Sequence, residues 1–146
     1  MNASRQFLED LFRKAVAAAH PAQSLPALLP AAPDKGRLIV LAAGKAAGSM
    51  AEVAERHYLA AGFPRARLTG IAVSRHGYGR PLQAIEMVEA GHPMPDQAGL
   101  DAAARTLELA NTATKDDVVL ALVSGGASAN WTAPAKGLSL AEKQAV

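Results

Sequence analysis

Apolar residues recur along this chain at two alternating spacings, and the spacings predict its elements. Residues 2–20 place Phe7, Leu11 and Ala15 at four-residue intervals beside a second row of Leu8, Phe12 and Val16. That is the broad apolar stripe of an amphipathic helix. Pro21 stops it, and residues 21–35, with four prolines, read as a connector or extended arm. Residues 37–42 read as a buried strand. A helix is predicted over residues 45–61, with Ala47, Met50, Ala51, Ala54 and Tyr58 facing inward and Gly62 at its C-terminal end.

The next strand is predicted at residues 68–74, followed by a basic glycine loop at residues 75–81. Residues 85–90 alternate apolar and acidic side chains, the pattern of a short strand near a sheet edge. Residues 91–95 must be extended, because Pro93 and Pro95 push the residues before them out of the helical region. Asp96 then caps a helix over residues 97–110, with Leu100, Ala103, Ala104, Leu107 and Leu109 as its candidates for burial. After a polar lead at residues 114–117, the six apolar residues 118–123 predict a strand buried on both faces. Ser139 and Glu142 form a capping box at the head of a last helix, which has run only about two turns at Val146. That short run makes truncation an expectation.

Strands and helices alternate, so the predicted fold is α/β: a Rossmann-like three-layer domain on a mostly parallel sheet, with ligands beyond the strand C-termini. At 146 residues, the chain is one domain. Composition narrows its class. Alanine is abundant and aromatics make up 4% of residues, which suits helices packed closely on a sheet. Net charge is +2 with no block of lysine and arginine, so nucleic-acid binding has little support. There is no cysteine, which excludes disulfides and thiolate metal sites. Apolar runs fall short of a membrane span, and the N-terminus lacks the layout of a signal peptide. The cytoplasm is the expected compartment.

The chemistry gathers at two strand-to-glycine-turn junctions. In Gly44-Lys45-Ala46-Ala47-Gly48, helix-start amides and the Lys45 ammonium would favour an anion. It is not a Walker loop, since Ile39 stands where the first glycine belongs and no Ser or Thr follows Lys45. Nor does it fit G-x-G-x-x-G. In Ser124-Gly125-Gly126-Ala127-Ser128, two glycines let the backbone approach a phosphate, and the Ser124 and Ser128 hydroxyls could bond its oxygens. A bland reading stands beside each: glycines that let helix and strand pack, with Lys45 solvated. His92 could act as an acid or base, or be a structural residue of a proline turn. Arg75 and His76, past a strand end, could bind a carboxylate or remain solvated. Asp96 reads as a cap. Trp131 could stack on a base, but shielding the core is the simpler role. No metal-ligand cluster is apparent.

Together these segments resemble the N-terminal part of the glycerate 2-kinase family, whose bacterial members are often labelled hydroxypyruvate reductases. The resemblance rests on Ala43-Gly44-Lys45-Ala46-Ala47 with Met50-Ala51, on Val73-Ser74-Arg75-His76-Gly77-Tyr78-Gly79, on Glu89-Ala90-Gly91-His92-Pro93-Met94-Pro95-Asp96-Gln97-Ala98-Gly99-Leu100, and on Leu122-Val123-Ser124-Gly125-Gly126-Ala127-Ser128-Ala129. It implies a two-domain protein roughly three times this length with its active site in the cleft between the domains, and a C-terminal domain absent from this chain. It also implies transfer of the ATP γ-phosphoryl to the 2-hydroxyl of D-glycerate, with Mg²⁺ arriving on ATP. Lys45 would be the catalytic lysine, with Gly44, Ser124, Gly125, Gly126 and Ser128 holding nucleotide or phosphate. Arg75 and His92 would bind the substrate.

The chain departs from the family pattern at Ala127, where a third glycine is usual, and at Asn130 and Trp131, where leucines are usual. Half of the cleft would be missing, so inactivity of this chain alone is expected. An apolar face left bare by a missing domain would promote self-association into a homo-oligomer. Two other readings stay open: an NAD(P)H-dependent hydroxypyruvate reductase and a non-catalytic binding module.

Overall fold

The computed structural model describes residues 3–145. Its centre is a four-stranded, wholly parallel sheet in the order β3-β2-β1-β4, built from β1 (Leu38–Ala43), β2 (Leu68–Arg75), β3 (Glu86–Ala90) and β4 (Val118–Val123). β1 is apolar throughout and buried throughout, as a strand with neighbours on both sides and covered faces must be.

Two helices make the outer layers. α3 (Ala47–Ala60) lays Ala47, Ala51, Ala54 and Tyr58 on one face of the sheet, against Leu38, Val40, Ala42, Ala72 and Leu122. Their spacing of four, three and four is that of a helical stripe, and the alanines let helix and sheet approach closely. α4 (Gln97–Asn111) covers the other face, where Ala102 packs with Ile71, Val73 and Ala90. Its buried stripe is Gly99, Ala102, Ala103 and Thr106, while Ala104 and Leu107 face out, contrary to expectation. The small residues win the contact because they permit the closer packing, and Thr106 satisfies its hydroxyl on the Ala102 carbonyl at 2.7 Å.

Two further expectations are corrected. β4 pairs only with β1, so it is an edge strand with one open face, and Val119 and Val123 are 44% and 61% exposed. The apolar stripe of α1 (Ala3–Ala19) buries nothing: Phe7 and Phe12 remain 66% and 68% exposed. Residue 2, predicted to begin that helix, lies outside the described residues. β3 is the other edge, as its alternating pattern implied.

The connector at residues 21–35 is not featureless. It contains a short helix, α2 (Pro21–Ser24), and a single 3-10 turn, Pro26–Leu28, and packs Leu25, Leu29 and Ala32 onto the α3 side of the core. The Tyr58 hydroxyl ties it down by donating to the Pro30 carbonyl at 2.8 Å. After β4 come α5 (Ala127–Asn130) and α6 (Leu140–Gln144), the latter opened by the expected capping box of Ser139 and Glu142. Among the described residues no helix is long and apolar enough to cross a membrane.

The polar lead into β4 is a clamp. Asp117 accepts from the Arg37 guanidinium at 3.0 Å and from the Arg37 and Thr114 amides, locking the starts of β1 and β4 together. The guanidinium first, then these amides, hold the Asp117 carboxyl well below the usual carboxylate range. Because the native state favours the ionised form, the clamp contributes its full stability above the ordinary carboxylate value of about 4, and that contribution declines as pH falls from there toward the lowered native value. Urea denaturation should therefore show stability declining below about pH 4. Asp117→Asn should lower stability at neutral pH and flatten that acid decline.

Candidate phosphate-binding site

All strands run the same way, so the β1 and β4 turns and the loops after β2 and β3 gather on one sheet edge. The chain winds outward from β1 to β2 and β3, then returns to place β4 on the other side of β1. The gap between β1 and β4 is therefore a topological switch point, where the connections diverge and leave a crevice. Both glycine turns open at that point, because Ala43 and Val123, the last residues of their strands, are register partners.

The two turns are fastened to each other. Lys45 N–H donates to the Gly125 carbonyl at 2.9 Å, and Ala46 N–H donates to Ser124 Oγ at 2.9 Å. Gly44, at φ +105°, packs so tightly that a β-carbon there would collide with the Ser124 carbonyl oxygen. This corrects the expected role of the first turn. The amides of Gly44, Lys45, Ala46 and Ala47 are all taken, by Val73 O, Gly125 O, Ser124 Oγ and Gly44 O. What the turn offers a ligand is the Lys45 side chain, which is exposed and, among the described residues, has no carboxylate partner. Ser124 is likewise corrected from ligand to fastener.

The second turn keeps its donors. Among the described residues, no protein acceptor takes the amides of Gly125, Gly126, Ala127 or Ser128. Gly126 adopts φ +91°, which turns the backbone sharply into α5. Ser128 is exposed beside these amides. Free donors on a glycine turn next to an ammonium group are a chemistry for anions.

His92 reaches the same place from the opposite edge of the sheet. A β-carbon on Gly126 would stand 2.7 Å from His92 Nε2 and 3.2 Å from Lys45 Cγ, so these three residues converge. The His92–Pro93 peptide is cis. Asp96 closes the loop at residues 91–96, capping α4 through the Gly99 amide at 2.9 Å and pairing with His76 Nε2 at 2.8 Å. Burial works against ionisation of Asp96, but hydrogen bonds from the Gly91 amide, His76 and the Gly99 amide outweigh it and hold the carboxyl below its ordinary value.

Arg75 is not brought to Lys45. Its guanidinium lies 3.5 Å over the Tyr78 ring, within its own loop. Trp131 is half-buried against the α4 side of the core, the simpler of its two predicted roles. Three polar residues that sequence reasoning missed tie loops to the sheet, Glu89 and Asn130 at this edge and Glu55 at the entry to β3. Glu89 accepts from the Gly77 and Gly79 amides, which hold its carboxyl low. Buried Glu55 accepts from the amides of Gln83, Ala84 and Ile85. Asn130 donates to the Gly91 carbonyl. Glu89 alone carried a signal, as an acid in a short strand just after a glycine loop.

Residues 7–146 match the model of a domain family described as a domain of unknown function, DUF4147. A protein of Agrobacterium vitis with the provisional name hydroxypyruvate reductase is 38% identical over 98% of this chain and 31% of its own length. The D-glycerate 2-kinase of Thermotoga maritima is 35% identical over 92% of this chain and 31% of its own length. The crystal structure of a glycerate kinase from Thermotoga maritima superposes with a TM-score of 0.74 at 32% identity, covering 98% of this chain and 33% of that one. The chain thus spans about a third of the length of these relatives. It belongs to the DUF4147 family, whose relatives include glycerate 2-kinases and proteins named for hydroxypyruvate reduction.

Proposed function

We propose that this chain forms the phosphate-gripping wall of a kinase that transfers the ATP γ-phosphoryl group to the 2-hydroxyl of D-glycerate. The observation that carries the reading is the Lys45 side chain beside the amides of residues 125–128, none of which has a protein partner among the described residues, at the switch point of the sheet. The glycerate kinase names of the relatives supply the acceptor. Phosphoryl transfer asks little covalent chemistry of a protein; it needs alignment and neutralisation of charge on the moving group.

The division of labour follows from the geometry. The amides of residues 125–128 would orient phosphate oxygens, with Ser128 beside them. Lys45 would place a full positive charge where negative charge builds up, a contribution of about 10²–10³ in rate for a single well-placed donor. His92, across the turn from Lys45, would bind the acceptor acid. Arg75 would do so only after leaving the Tyr78 ring. Among the described residues no group of three or more histidines and carboxylates is placed to hold a metal. Mg²⁺ would accordingly come with the nucleotide, its usual manner in phosphate sites. When bound, Mg-ATP supplies the transferable group.

The reductase named among the relatives is the weaker reading. A dinucleotide fold cradles pyrophosphate on the amides of its first strand-to-helix turn. Here those amides, from Gly44 to Ala47, are already engaged.

Two substitutions separate chemistry from architecture. In the intact polypeptide that carries this sequence, Lys45→Ala should lower kcat for D-glycerate with Mg-ATP about 10²–10³-fold, leaving the thermal midpoint unchanged. Activity indifferent to Lys45 would overturn the reading. Ser124→Ala strips the acceptor from the Ala46 amide and should cost about 1 kcal/mol in urea denaturation, as losing a helix cap does. Ser124→Thr should retain most of that stability.

A further inference from the structure

We infer that Asn130 is a positioning residue: it holds His92 against the Gly125–Gly126 turn and beside Lys45, joining loops from opposite edges of the sheet into one site. The starting point is an energetic oddity. Asn130 is fully buried, and its Nδ2 donates to the Gly91 carbonyl at 3.0 Å and the Ala90 carbonyl at 3.4 Å. Its Oδ1 is buried too and, among the described residues, has no partner. The two carbonyls fix the orientation of the amide, since only Nδ2 can face them. A buried acceptor left unsatisfied is costly, and an apolar side chain of similar volume would avoid that cost. What asparagine provides in exchange is a donor to the carbonyl immediately before His92.

The surrounding geometry shows what that donor does. β3 and β4 are the two edges of the sheet, so the loop after β3 must cross roughly 14 Å, three strand spacings, to reach the β4 turn. Among the described residues, the His92 ring itself hydrogen-bonds to nothing, so its place is inherited from its backbone. Gly91 is held on two sides: Asn130 donates to its carbonyl, and the Asp96 carboxyl carbon lies 3.0 Å from its β-carbon position. Asn130 also touches the other two partners of the site. Its own N–H donates to the Gly126 carbonyl at 3.4 Å, and its carbonyl oxygen lies 2.8 Å from the β-carbon position of Gly99 on α4. One residue thereby couples the His92 loop, the glycine turn and α4.

The placement of His92 can be read without any activity, so this inference and the kinase reading fail separately; only the kinetic part below rests on the latter. In the 146-residue chain, nuclear Overhauser contacts should connect the His92 ring to the Gly126 α-protons and the Lys45 side chain. Asn130→Leu, which replaces the amide with an apolar group, should keep the dispersed spectrum and thermal midpoint of a folded chain. Those cross-peaks should nevertheless disappear, and the His92 ring resonances should move to solvent-exposed positions. Asn130→Ala, which cannot overpack, should do the same.

Cross-peaks that persist in either folded variant overturn the inference, and so does unfolding of both, which would make Asn130 a residue of the fold alone. In the intact polypeptide, Asn130→Leu should raise KM for D-glycerate at least tenfold, with KM for ATP unchanged. If the cross-peaks vanish without that rise in KM, the positioning role stands and His92 is removed from acceptor binding.

Discussion

The site depends on the in-register parallel pairing of β1 with β4. Ala43 sits opposite Val123, so each strand releases its glycine turn at the same height, and the turns bond to each other through Lys45 N–H to Gly125 O and Ala46 N–H to Ser124 Oγ. A slip of one residue would turn every side chain of β4 to the other face and separate these partners. The Arg37–Asp117 clamp at the opposite end of the same two strands guards the register. The stability of the sheet and the geometry of the site are one problem here.

Fastening the turns together divides the work between them. The first turn has its amides engaged and is left with the exposed Lys45 ammonium group. Among the described residues, the second keeps amides that no protein acceptor takes. In the proposed reading these are complementary: the amides would fix a phosphate's position, and the ammonium group would meet charge as it builds up. The His92 loop brings a third group to the same point, and its own anchors, Asp96 and Asn130, lie on elements already packed into the core.

The outer face of β4 and the stripe of α1 are apolar and uncovered in this chain, which spans about a third of the length of its relatives. A sequence pattern records which face of an element is meant to be covered. It does not record whether the cover is present, so the runs around Phe7 and Val118 misled on burial while identifying helix and strand correctly.

The elements themselves were legible because each rests on local physics: apolar spacing in residues 47–58, the Asp96 cap, the Ser139 and Glu142 capping box, and prolines that stop helices. The two glycine turns were legible as turns for the same reason. Their partnership was not. Strand order is decided by long-range packing, and it put β4 beside β1, making Ser124 a fastener and committing the amides from Gly44 to Ala47. Arg75 turned onto Tyr78, and Asn130 and Glu55 gained their roles only because folding placed distant backbone groups within hydrogen-bond reach. The sequence by itself determined the α/β architecture and the residue types of an anion site. Tertiary structure alone decided which donors stay free, because that depends on neighbours up to about eighty residues away in the chain.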